Sequence, residues 1–156
     1  GNMVPKILCS ILTLILLNAC QSTASGEIAF KEDETRITLV EEMDLLAIEY
    51  TITNKTEQIK GPYYTKILFQ NETISNLIGL TESSPYKRIG NKESIINLNN
   101  GDSFRSGESF EITGKYLVDD LREIIENSNA IEIQLIDLED EEPEKAYWIH
   151  DFKIKH

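Results

Sequence analysis

Reactive side chains are scarce in this chain: 156 residues hold two cysteines, two histidines and one tryptophan. Cys9 lies inside an apolar run and Cys20 at its end, so removal of that run would leave Cys20 alone and no intramolecular disulfide could form. Two histidines without a cysteine pair make a poor zinc ligand set. A Ser-His-Asp arrangement would have to use His150, because His156 is the last residue. Basic residues are also in short supply, 15 Lys and Arg against 27 Asp and Glu, for a formal charge of -12. That balance opposes sequence-independent binding to nucleic acid, where Lys and Arg must neutralise phosphates. It equally opposes lying flat on anionic lipid, which attracts basic clusters. No apolar run reaches the roughly 20 residues that span a bilayer as a helix.

What the chain does have begins at its N-terminal end. Met3 reads as a natural start, Lys6 as a short basic segment, and Ile7 to Leu17 as an apolar stretch of secretory-signal length. Leu17-Asn18-Ala19-Cys20 closes it, and the small polar run Gln21 to Gly26 follows as a flexible tether. The quartet resembles the lipobox of bacterial lipoproteins. The resemblance implies that residues 1–19 are a removable signal peptide, that Cys20 carries the lipid, and that the mature chain is held at the extracytoplasmic face of the cell membrane. Removing 19 of 156 residues leaves 137, and losing Lys6 changes the charge from -12 to -13. A single domain over residues 27–156 has the length for a sufficient core without staples.

The rhythm of that domain is period two. Ile28 and Phe30, then Ile37 and Leu39, predict two short strands around Glu32-Asp33-Glu34. Leu46, Ile48, Tyr50 and Ile52 alternate with polar neighbours as a half-buried strand over Leu45 to Thr53. Gly61-Pro62 predicts a break before a strand over Thr65 to Gln70, and Asn71-Glu72 a turn before a further strand over Thr73 to Leu80. Thr81 to Asn91 reads as a long polar loop and Lys92 to Leu98 as a strand. Asn99-Asn100-Gly101-Asp102 and Arg105-Ser106-Gly107-Glu108 read as turns. Phe110, Ile112, Tyr116 and Val118 then alternate as one strand, with Gly114 marking a bulge or close approach. A short helix is predicted near Asp119 to Asn127, with Leu121, Ile124 and Ile125 on one side. Ala130 to Leu138 and Ala146 to Ile154 are the last strands, joined by the acidic run Asp137 to Glu144. Seven to nine short strands with one helix predict an antiparallel β-sandwich.

Tyr50-Thr51-Ile52-Thr53-Asn54-Lys55-Thr56, Phe69-Gln70-Asn71 and Ser106-Gly107-Glu108-Ser109 leading into Phe110 to Leu117 resemble uncharacterised immunoglobulin-like domains of Gram-positive surface lipoproteins. The likeness spans roughly Ile37 to Ile154 and consists of turn chemistry. It implies an immunoglobulin-like fold and no defined activity; Glu72, where those domains often carry Gly, and Arg105-Ser106, where they often carry Pro, depart from the pattern.

The residues offer few sites. Tyr63, Tyr64 and Tyr86, with Lys87 and Arg88, are expected to form an exposed aromatic and basic surface for an unknown protein or glycan partner. Asp137, Glu139 and Asp140 are the candidates for calcium, which takes six to eight oxygens, although a solvated hairpin tip explains the same acids. His150 with Asp151 or Asp137 is the candidate small-ligand, metal-binding or enzymatic site. Strand alternation puts it beside Trp148 and Phe152 and favours a packed histidine. Asn54-Lys55-Thr56 and Asn71-Glu72-Thr73 match a glycosylation pattern but read as turn residues. No cofactor is implied. The function expected is a lipid-anchored, non-catalytic interaction module, with a structural or immunity-type envelope protein as a further possibility.

Overall fold

A computed structural model describes residues 26–86 and 94–156. Lys87, Arg88 and the Leu17–Cys20 quartet lie outside the described residues. Two sheets, mostly antiparallel, pack face to face. β3 (Leu45–Asn54) organises the first: β7 (Ser103–Glu111) pairs along one edge, and β1 (Ile28–Phe30) and β2 (Arg36–Val40) lie end to end along the other. β10 (Phe152–Lys155) adds to β2 in parallel. In the second sheet β4 (Lys60–Phe69) is flanked by β5 (Glu82–Ser83) and β6 (Ile96–Leu98) on one edge and β8 (Ile131–Asp137) on the other. β9 (Pro143–Trp148) pairs with β8. The core follows from the alternation: Leu46, Ile48, Tyr50 and Ile52 of β3 meet Ile67, Ile133 and Leu135 of the other sheet in one apolar cluster. Phe69 and Phe110 contact edge to face across the layers, ring centroids 5.1 Å apart. The Tyr50 hydroxyl shares a 2.8 Å hydrogen bond with Thr65 Oγ1 between the sheets.

Several elements differ from the sequence expectation. Residues 72–78 form helix α1 (Glu72–Ile78), not a strand, because Asn71 Oδ1 accepts the Ile74 N–H as an N-cap and Gly79, φ 80°, ends the last turn. Gly61-Pro62 does not stop the chain: it is a cis peptide inside β4, at an irregularity in the pairing with β6. Arg105 to Glu108 is no turn but the middle of β7, in unbroken register with β3 from Thr53↔Ser103 to Leu45↔Glu111. That strand stops at Glu111, and α2 (Val118–Asn127) buries Leu121 and Ile125. Its N-cap residue is Leu117, which supplies no side-chain bond. The expected last strand is two, and β9 and β10 belong to different sheets. Ile149 N–H donates to Ile131 O and Ile37 N–H to Asp151 O, so residues 149–151 carry the chain from one sheet to the other.

Gly107 is required by close approach, since an added Cβ would lie 2.9 Å from the Ile48 carbonyl oxygen of the neighbouring strand. Gly107→Ala is therefore expected to lower stability by about 1–2 kcal/mol, strain exceeding the smaller entropic gain of losing a glycine. Urea unfolding of the pair of proteins checks this through a lower midpoint with an unchanged slope.

The strand directions give the molecule two unlike ends. At the near end, where residue 26 joins, Lys55 N–H donates to Glu27 O, Gly101 N–H to Asn54 O and Leu138 N–H to Pro62 O. The 55–59 turn, the 99–102 turn and the acidic loop 138–142 therefore cluster beside Gly26. At the far end Ile112 N–H donates to Asp44 O and Thr113 N–H to Leu77 O. The 41–44 turn, α1, the 112–117 segment, α2 and the chain's last residues gather there.

Candidate functional site

The far end contains a concave feature. A surface depression of about 630 Å³ is lined by Glu41, Asp44 and residues 114–118. Its walls follow from local chemistry. Val40 leads into a 3-10 turn over Glu41–Met43, closed by Asp44 in the left-handed region at φ 49°, which Asp tolerates better than most residues. Tyr116 crosses the gap and donates its hydroxyl to Asp44 Oδ1 at 2.9 Å. Burial, then the bond to Asp44, raises the Tyr116 pKa above its ordinary value. Glu41 Oε2 pairs with His156 Nδ1 at 2.6 Å. Two large aliphatic side chains here face water: Met43 is 65% exposed and Leu117 68% exposed. Their burial on a partner would remove apolar surface that the fold leaves wet. A second, smaller groove crosses the outer face of the β3–β7 pair, lined by Ala47, Glu49, Arg105, Gly107 and Ser109.

Among the described residues, Tyr63 and Tyr64 do not form the expected exposed aromatic surface. Tyr63 is 3% exposed and belongs to the core between the sheets. Tyr64 is 2% exposed and stacks on half-buried Tyr86, ring centroids 5.2 Å apart. The physical reason is the continuity of β4: both tyrosines lie within a strand paired on both edges, so one ring faces the core and the other is covered by the 84–86 segment. Lys87 and Arg88 lie outside the described residues.

His150 also departs from expectation. It is exposed, not packed, and its Nε2 lies 3.0 Å from Asn129 Oδ1. Asp137 sits at the opposite end of β8, about 20 Å away at ~3.3 Å per residue, so it cannot act with His150. None of the depressions described here includes His150. In the acidic loop Asp137 Oδ1 accepts the Glu139 N–H and Asp140 Oδ1 accepts the Glu142 N–H. These carboxylates shape the turn, with Glu141 at φ 57°. Among the described residues no three of His, Cys, Asp or Glu converge to hold a metal ion. No described helix is long and apolar enough to cross a membrane.

Sequence reasoning missed Met43 and Leu117. Leu117 reads as the end of a strand until β7 is seen to stop at Glu111. Met43 had a local signal, lying between Glu42 and Asp44 at a strand boundary where no periodic face claims it.

Tyrosines give the domain an alkaline limit. Burial, reinforced by Glu144 and Asp137, pushes the Tyr63 hydroxyl up to about 12, and burial also raises Tyr50. A pKa raised in the fold favours the native state fully below the unfolded value near 10. That contribution is lost as pH rises from about 10 through about 12. Thermal unfolding across pH 8 to 12 should show a falling midpoint above pH 10, and Tyr63→Phe should weaken the fall.

Compared with family models, curated proteins and solved structures, the chain matches none.

Proposed function

We propose that this chain is a lipid-anchored, extracytoplasmic, non-catalytic interaction module built on an immunoglobulin-like sandwich. The observation that carries the reading is the quartet Leu17-Asn18-Ala19-Cys20 followed by a small polar run, which joins the sandwich at one end, where Lys55 N–H donates to Glu27 O. An acylated Cys20 would then hold the near end toward a membrane and leave the far end open. Strand pairing supports the immunoglobulin-like part. β3 is flanked by β2 and β7, β8 by β4 and β9, and a helix fills the β7–β8 connection, an order like that of strands A-B-E facing C-F-G. Support for a non-catalytic role comes from the site chemistry: Asp44 accepts from Tyr116, Glu41 pairs with His156, and His150 is tied to Asn129.

The test is metabolic labelling with an alkyne fatty acid in a bacterial host. The parent should be labelled and sediment with membranes, and Cys20→Ala should lose the label and leave the membrane fraction. An unlabelled parent would sink the anchor reading.

A further inference from the structure

We infer that the far-end depression docks a basic, amphipathic segment of a partner protein, with Met43 and Leu117 as the apolar contacts. The inference deepens the interaction-module reading and rests on it. Met43 and Leu117 are among the most exposed large apolar side chains of the described domain, and they flank one concavity: Leu117 lines it within the 114–118 run, and Met43 lies in the turn whose Glu41 and Asp44 line it. Ile59, 72% exposed, sits at the near end instead, where residue 26 leaves at most about 20 Å of chain, six residues at ~3.5 Å each, back to Cys20. β3 alone puts about 30 Å between the two ends at ~3.3 Å per residue. The far-end pair Met43 and Leu117, unlike Ile59, is therefore presented to partners outside the membrane.

Charge selects the occupant. Glu41, Glu42 and Asp44 lie in the same turn as Met43, Asp119 and Asp120 in the first turn of α2 beside Leu117, and Glu111 at the end of β7. Basic side chains at this end include Lys115, which lines the depression, Arg122, paired with Glu126, Lys155, and His156, held by Glu41. An acidic rim around an apolar contact steers and retains a cationic partner and repels an acidic one. Met contributes here a flexible apolar side chain that adapts to differing surfaces.

The experiment immobilises a Lys/Leu amphipathic peptide on a sensor, beside a control with every Lys replaced by Glu, and flows the full chain over both. The parent should bind the basic peptide with an affinity that falls as salt rises, and should ignore the acidic one. Met43→Ser with Leu117→Ser should weaken binding about tenfold, the scale expected for losing burial of an aliphatic side chain, while Ile59→Ser should leave it within about twofold. Equal binding by the parent and the Met43/Leu117 double variant would overturn the proposal, as would equal binding to both peptides. A concentration-dependent doubling of parent mass in sedimentation, lost in the double variant, would show a second copy as the occupant and also overturn it. Cys20→Ala separates the readings: an unlabelled parent whose peptide binding survives would remove the anchor and leave the docking surface standing.

Discussion

Replacing Asn54 by alanine is expected to lower the free energy of unfolding by about 3–5 kcal/mol, an effect on the scale of a small domain's whole stability. Asn54 is fully buried at the end of β3 and holds three segments together. Its Nδ2 donates to Gln58 O at 2.8 Å, to Leu98 O at 2.9 Å and to Asn99 O at 3.2 Å. Its Oδ1 accepts the Thr56 N–H at 2.9 Å and the Thr56 hydroxyl at 2.6 Å. Each bond contributes about 1 kcal/mol net, and each buried group left unpaired costs about 1–3 kcal/mol. Urea unfolding should show a lower midpoint with the slope retained. A loss below about 1 kcal/mol would mean that water replaces the amide and the site is not sealed. Asn54→Asp sharpens the test. It keeps the acceptor but aims a carboxylate at three carbonyl oxygens, so its folded pKa rises above the unfolded value near 3.9. The native state of this variant is then favoured below that value and penalised above it, so its deficit should shrink as pH falls toward 4.

Tyr63→Ala should cost about 3–5 kcal/mol, as expected for emptying a buried aromatic site. Tyr63 pairs across β4 with Asp137 of β8 and Ile96 of β6, leaving little freedom for the walls to collapse. Surface tyrosines would give at most about 0.5 kcal/mol, so calorimetry distinguishes core from surface. Tyr86→Ala should cost less, because it loses a stack of about 0.5–1.5 kcal/mol on Tyr64 and is itself half-buried. A Tyr63→Ala protein as stable as the parent would restore the tyrosines as a surface.

The contrast between the two residues shows what was legible. The Asn54-Lys55-Thr56 turn was readable because its chemistry is local: an Asx side chain reaching the N–H two residues on needs nothing from the rest of the chain. Asn99 to Asp102 is similar, with Asp102 Oδ2 accepting the Asn99 N–H at 3.1 Å and Gly101 at φ 79°. Residues 72–78 were ambiguous for a different reason. Ile74 and Ile78 satisfy both period two and the i, i+4 spacing of a helix, and a segment this short does not separate them. The cap at Asn71 and stop at Gly79 were the arbiters, and both were present in the sequence. The candidate site was legible only in its acids, since nothing local announces that the 41–44 turn and Leu117 border one concavity.

By itself the sequence determined a largely two-period chain with one acidic face chemistry, the alternating core residues of β3 and β8, the helix near residues 118–127, and the turns at Asn54 and Asn99. These rest on side-chain alternation and short-range hydrogen bonds. The tertiary structure alone decided the rest, because long-range pairing overrides local turn composition. β3, ten residues long, holds β7 in register straight through Arg105-Ser106-Gly107-Glu108. The strand-to-strand handover at residues 149–151 shifts the phase of the alternation, which buries Ile149 and turns His150 outward. Pairing on both edges of β4 carries the chain through Gly61-Pro62 and takes Tyr63 and Tyr64 out of solvent, because a central strand with both edges hydrogen-bonded has its side chains claimed by the layers above and below.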